Sequence, residues 1–101
     1  MAALDLFGRR WALRVIWELN NGPCGFRPLQ QRCDGMSSSV LRQRLLELAE
    51  AGLVTQLPDT SYALTPLGED AYQSLRPLVQ WSSRWATALS ERSDDMDSAQ
   101  L

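Results

Sequence analysis

The chain has 101 residues, 45% apolar and 22% charged, the balance of one small globular domain with no room for a catalytic domain beside a regulatory one. It contains no histidine, which removes the commonest general base, the commonest metal ligand and every Ser–His or Cys–His nucleophile pair. The net charge of −2 hides an asymmetry: residues 1–45 carry +4, residues 46–101 carry −6, and all ten basic residues are arginine, so the first half suits a polyanion; the exclusive use of arginine either suits forked contacts to phosphate or guanine or reflects the codon bias of a GC-rich genome.

In chain order, Leu4 to Asn20 reads as helix, with Leu4, Trp11, Val15 and Leu19 on one stripe and Leu6, Leu13 and Trp17 on nearly the opposite side. A helix apolar on two sides needs two covers, its own core and something else, of which a partner subunit is the simplest; Gly8 is the point where the two parts can break and rotate apart. Asn21, Gly22 and Pro23 end it. Phe26 to Cys33 predicts a short helix with Pro28 at its start and Leu29 inward, closed by Asp34 and Gly35.

Ser37, Ser38 and Ser39 then offer an N-cap, Leu41, Leu45 and Leu48 repeat at core-facing spacing, and Gly52 stops the helix, which spans about Ser38 to Ala51. Short helix, tight turn and longer amphipathic helix is the order of a helix-turn-helix. Leu53–Leu57 and Ser61–Leu64 predict a small hairpin turned by Pro58, Asp59 and Thr60. Thr65 caps and Pro66 opens a last helix, with Glu69 and Asp70 near its start and Leu67, Ala71, Leu75, Leu78, Trp81 (or Ser82), Trp85 and Leu89 along it. Pro77 should kink that helix or split it. The expected fold is mainly α with a small β-hairpin (α+β), a winged helix-turn-helix in a single domain over residues 1–92. Residues 93–101 read as a polar, disordered tail.

Cys24 and Cys33 are too few for a structural zinc site without histidine and read as two reduced thiols, the alternative being a redox switch. The acid pairs Glu47 with Glu50, Glu69 with Asp70 and Asp94 with Asp95 have no apolar setting that would tune them for acid–base work. No catalytic residue, metal site or cofactor is therefore expected. No uncharged apolar run nears the roughly 18 residues of a membrane helix, and Met1–Phe7 lacks the zones of a signal peptide, so the expectation is a cytoplasmic protein.

Five strings, in order, carry a resemblance: Ala3-Leu4-Asp5-Leu6-Phe7-Gly8-Arg9-Arg10-Trp11; Gly35-Met36-Ser37; Val40-Leu41-Arg42-Gln43-Arg44-Leu45; Glu47-Leu48-Ala49-Glu50-Ala51-Gly52-Leu53-Val54; and Tyr62-Ala63-Leu64-Thr65-Pro66-Leu67-Gly68. The set, covering about Ala3 to Trp85, resembles the HxlR-type branch of the MarR-like bacterial transcription regulators. The resemblance implies a homodimeric DNA-binding repressor or activator whose first and last helices build the dimer. Leu4, Trp11, Trp81 and Trp85 would then stand at the interface, an effector pocket between those helices being the alternative for the aromatics. Sensor members of the family carry a cysteine just ahead of the first helix, a position with none here. The hairpin tip, Leu57-Pro58-Asp59-Thr60-Ser61, is shorter than the usual wing and has no arginine to enter a minor groove.

On a helical wheel the third helix turns Ser39, Arg42, Gln43 and Leu46 away from its core face. Arginine can fork onto guanine and glutamine onto adenine, while Ser37, Ser38 and Ser39 at a helix N-terminus suit phosphate. No acid lies between Gly35 and Leu46. Arg44 is expected as a phosphate contact or an ion pair with Glu47 or Glu50, and Arg27 and Arg32 as grips on the DNA backbone. Leu46 has three readings: a thymine-methyl contact, packing on the hairpin, or a shifted helix phase. The expected function is sequence-specific transcription regulation by a homodimer, with the helix from about Ser38 to Ala51 in the major groove of a near-palindromic operator on double-stranded DNA. The alternative, motivated by the acidic pI near 5.0 and the uncharged wing, is a winged-helix protein-interaction module without DNA binding.

Overall fold

Gly8 marks a real break. In the computed structural model, which describes the backbone of residues 2–100 and the side chains of residues 5–93, the first predicted helix is two: α1 (Ala2–Phe7) and α2 (Ala12–Leu19). Between them Trp11 takes a left-handed backbone (φ 76°), uncommon for a bulky side chain, and its carbonyl accepts the Val15 N–H at 3.0 Å. The break lets α1 and α2 share one core. Ala12, Val15, Ile16 and Leu19 are buried, and Leu6, Phe7 and Trp11 pack half-buried against the same core.

After the Asn21–Pro23 turn, α3 (Phe26–Arg32) carries Pro28 in its first turn, where a missing N–H costs no helical bond. Asp34 and Gly35, both at positive φ, reverse the chain. Gly35 N–H donates to the Gln30 carbonyl (2.9 Å), and the Gln30 amide donates to the Met36 carbonyl (2.8 Å). Next, α4 (Ser38–Glu50) begins with Ser37 accepting the Val40 N–H (3.3 Å) and ends at Gly52 (φ 79°). Leu41, Leu45 and Leu48 all point into the core, as their spacing predicts. Each such burial is worth about 1.5–3 kcal/mol, and together with Val15, Ile16, Leu19 and Leu29 they hold the helix-turn-helix on α2.

The hairpin pairs β1 (Val54–Gln56) with β2 (Tyr62–Leu64), antiparallel, with Thr55 opposite Ala63. Asp59 builds its tip by accepting the Ser61 N–H (3.0 Å) and hydroxyl (2.6 Å). The other edge of β2 is also used. Cys24 and Tyr62 exchange both backbone hydrogen bonds (2.9 and 2.8 Å), fastening the α2–α3 loop to the wing.

The last helix, α5 (Pro66–Gln100), runs 35 residues and is not split at Pro77. Both Pro77 and Gln73, whose carbonyl loses its intrahelical partner, are exposed, so water can satisfy the freed group. Where a disordered tail is expected from residue 93, the backbone stays helical to Gln100, and residues 78–100 contain no glycine or proline to stop it. Thr65 caps α5: its hydroxyl accepts the Gly68 N–H (3.0 Å) and donates to the Gly52 carbonyl (2.6 Å). A Cβ on Gly68 would lie 2.0 Å from the Leu53 carbonyl oxygen, so only glycine lets α5 approach the base of the hairpin this closely.

Candidate nucleic-acid interface

The outward face of α4 is polar at its start. Ser37, Ser38 and Ser39 are exposed around its N-terminus, where free N–H groups gather, and Arg42 and Gln43 are exposed a turn later. The Arg42 guanidinium lies 4.7 Å above the centre of the Phe26 ring. This cation–π contact ties the first residue of α3 to α4.

Glu47 organises the next turn. Arg44 donates to one carboxylate oxygen (2.6 Å) and the Gln43 amide to the other (3.1 Å). Arg44, and after it Gln43, hold the Glu47 carboxyl below the usual carboxylate range. Arg44 forms with Glu47 the ion pair that was one of its two expected roles. Its Nε is buried without a hydrogen-bond partner among the described residues. Arg27 and Arg32 on α3 are exposed.

One side chain that sequence reasoning did not single out belongs to this framework. Arg14 on α2 bonds Glu18 (2.8 Å) and the Arg32 carbonyl (2.8 Å) and pairs with Asp34 (3.4 Å), so it clamps the turn between α3 and α4. Its i,i+4 spacing to Glu18 was a readable signal. Its reach to Asp34, twenty residues on, was not.

Leu46 follows the phase predicted by the wheel and is 53% exposed. It lies at a notch of about 300 Å³ between α4 and the hairpin, beside Arg42, Ala49, Val54, Gln56 and Tyr62. The hairpin tip has no basic residue, and Ser61 holds the Asp59 carboxyl below its usual range.

The residues expected at a dimer interface divide. Trp81 and Trp85 stack with centres 5.5 Å apart and planes 13° from parallel, both about half exposed. Trp11 packs on its own core under the Arg10 guanidinium (5.6 Å). The side chain of Leu4 lies outside the described residues. Trp17 meets Tyr72 at 5.2 Å, joining α2 to α5, and beside it Leu13, Leu75, Leu78 and Val79 line an apolar groove of about 350 Å³.

Cys24 and Cys33 are free and buried. Burial pushes the Cys33 thiol up to about 11, the nearby Arg14 charge opposing it. Among the described residues no group of three acids or thiols is placed to hold a metal, and no helix is long and apolar enough to cross a membrane.

A helix-turn-helix braced by Arg14, followed by a hairpin and a long helix, is the architecture of winged helix-turn-helix DNA-binding regulators. The chain belongs to the HxlR-like helix-turn-helix family, whose model matches residues 6–90. It is 32% identical over 91 residues to the HTH-type transcriptional regulator YvaP of Bacillus subtilis, covering 84% of this chain and 81% of that one. A crystal structure described as a possible HxlR family transcriptional factor, from Thermoplasma volcanium, matches with a TM-score of 0.76 at 32% identity, over 83% of this chain and 81% of the other. The quinone-bound YodB of B. subtilis matches with a TM-score of 0.68 at 29% identity, over 86% and 92%. The chain spans from 56% to 86% of the length of eight curated relatives it matches. It is a DNA-binding transcription regulator of HxlR type, and its relatives' role is a non-enzymatic one.

Proposed function

We propose that the protein acts in the cytoplasm as a homodimer that lays two copies of α4 into successive major grooves of a near-palindromic operator. The observation that carries this reading is the exposed, acid-free face from Ser37 to Gln43, presented by a turn that Arg14 holds in place. Backbone N–H groups at Ser37, Ser38 and Ser39 take a phosphate, Arg27 and Arg32 grip the flanking backbone, and Arg42 forks onto a guanine. Gln43 reads adenine once its amide exchanges Glu47 for the base. Arg44 stays with Glu47 and keeps that acid from the phosphates.

Dimerisation is supported by the apolar row on α5. Leu78, Val79, Trp81, Trp85 and Leu89 are 40–53% exposed, and a second copy covers such a row most economically. The buried thiols, with Cys33 kept neutral, support no thiol-sensing role.

Selection from a random duplex library at about 0.1 M salt tests the reading. Wild type is expected to enrich an inverted repeat and to lose affinity steeply as salt rises. Arg42→Ala is expected to weaken specific binding by about 1–3 kcal/mol without unfolding, whereas Leu45→Ala costs about 2–5 kcal/mol of stability. A folded protein that retains no DNA at any salt would return the interaction-module alternative.

A further inference from the structure

We infer that Leu46 is a specificity-determining residue that reads the C5-methyl group of a thymine close to the base pair contacted by Arg42. The inference rests on the DNA-binding reading above and adds to it the base that the apolar part of the site selects.

Leu46 stands one helical turn beyond Arg42 and is 53% exposed, although the hairpin is close enough to form the far wall of the same notch. The core does not need it: Leu41, Leu45 and Leu48 already fill the inner face of α4. Packing on the wing, which would cover it, leaves half of it open. The nearest acid, Glu47, is turned to Arg44 and Gln43. The notch therefore offers apolar surface chiefly from Leu46 and Ala49, with Arg42, Gln56 and Tyr62 also in its lining.

A phosphate would find only that one cation there. Of the groups on base edges in a major groove, the thymine methyl is the apolar one, and it is the group that such a surface can desolvate favourably. Four residues of helix advance about 6 Å, close to two base-pair rises of about 3.4 Å, so the thymine lies within about two base pairs of the guanine that Arg42 reads. Arg42 and Leu46 thus read as a pair, one by hydrogen bonds and one by burial.

Replacing thymine by deoxyuridine removes the methyl and nothing else. On the selected operator, a scan of single dT→dU substitutions with wild-type protein should find one position per half-site near the Arg42 guanine where affinity falls about four-fold, the worth of one buried methyl; substitution in both half-sites should lower it about fifteen-fold. Leu46→Ala, an exposed change to a better helix former, should fold as wild type, bind the thymine operator more weakly, and no longer distinguish it from the deoxyuridine form. Wild-type binding indifferent to deoxyuridine at every position would overturn the inference and leave the DNA-binding reading standing. So would a methyl effect that persists in Leu46→Ala, since another residue would then be reading it. Failure to bind any duplex would overturn both.

Discussion

Gly68 illustrates how much one missing side chain carries. Its backbone passes so close to the base of the hairpin that a Cβ would sit 2.0 Å from the Leu53 carbonyl oxygen, an atom that cannot swing aside because it already accepts the Thr65 N–H at 3.0 Å. Gly68→Ala is therefore expected to destabilise the protein by about 1–3 kcal/mol or more, as overpacking does, even though alanine is the better helix former; a urea titration followed by circular dichroism reads this directly. Sequence alone marked Gly68 only as a member of a string, since close approach by a residue fifteen positions earlier has no periodicity. The Ser37 cap and the inward leucines of α4 were legible because capping and helical spacing are local. Arg44 was half legible, with Glu47 foreseen as a partner but not the burial of Nε.

At the scale of elements, α4 depends on the state of one carboxylate. Glu47 is held below the usual carboxylate range by Arg44 and then Gln43, so its contribution is complete above that range and is lost as pH falls through the lowered folded value. Glu47→Gln should be less stable than wild type near neutrality, and the gap between their melting temperatures should close as pH is lowered below the usual carboxylate range. A gap that stays constant with pH would show that the loss comes from packing and not from the charge. The break between α1 and α2 was legible as an option at Gly8, but the left-handed Trp11 that completes it was not, because nothing local favours that conformation in a tryptophan. The Cys24–Tyr62 bridge was also invisible: one residue of pairing leaves no alternating pattern to read.

For the molecule as a whole, α5 is the element whose apolar residues exceed what its own chain covers. On the dimer reading, light scattering of the wild type gives about twice the 11.4 kDa chain mass, and the double substitution Trp81→Ser with Trp85→Ser shifts it toward one. Because both rings are about half exposed in the single chain, the monomer should keep its helical circular dichroism. A double variant that remains dimeric would move the interface elsewhere, with the groove at Leu13, Leu75 and Leu78 as the next surface to test. The fold was largely legible because it is built from local signals: caps, stops, turns and inward leucines. The exposed polar face of α4 was legible for the same reason, whereas the clamp by Arg14 joins segments distant in sequence.

The joint at Thr65 has a mechanical consequence. Only that residue separates β2 from α5, and it is bonded to both the Gly52 and Leu53 carbonyls at the end of α4. The connection is short, so on the proposed reading α5 is a rod set into the half that meets DNA. Its 35 residues make a lever of about 52 Å, along which a tilt of about 5° at the socket displaces the far end by about 4.5 Å. Gearing also runs the other way: a small sideways push far out on the rod moves α4, close to the socket, by only a fraction of that travel.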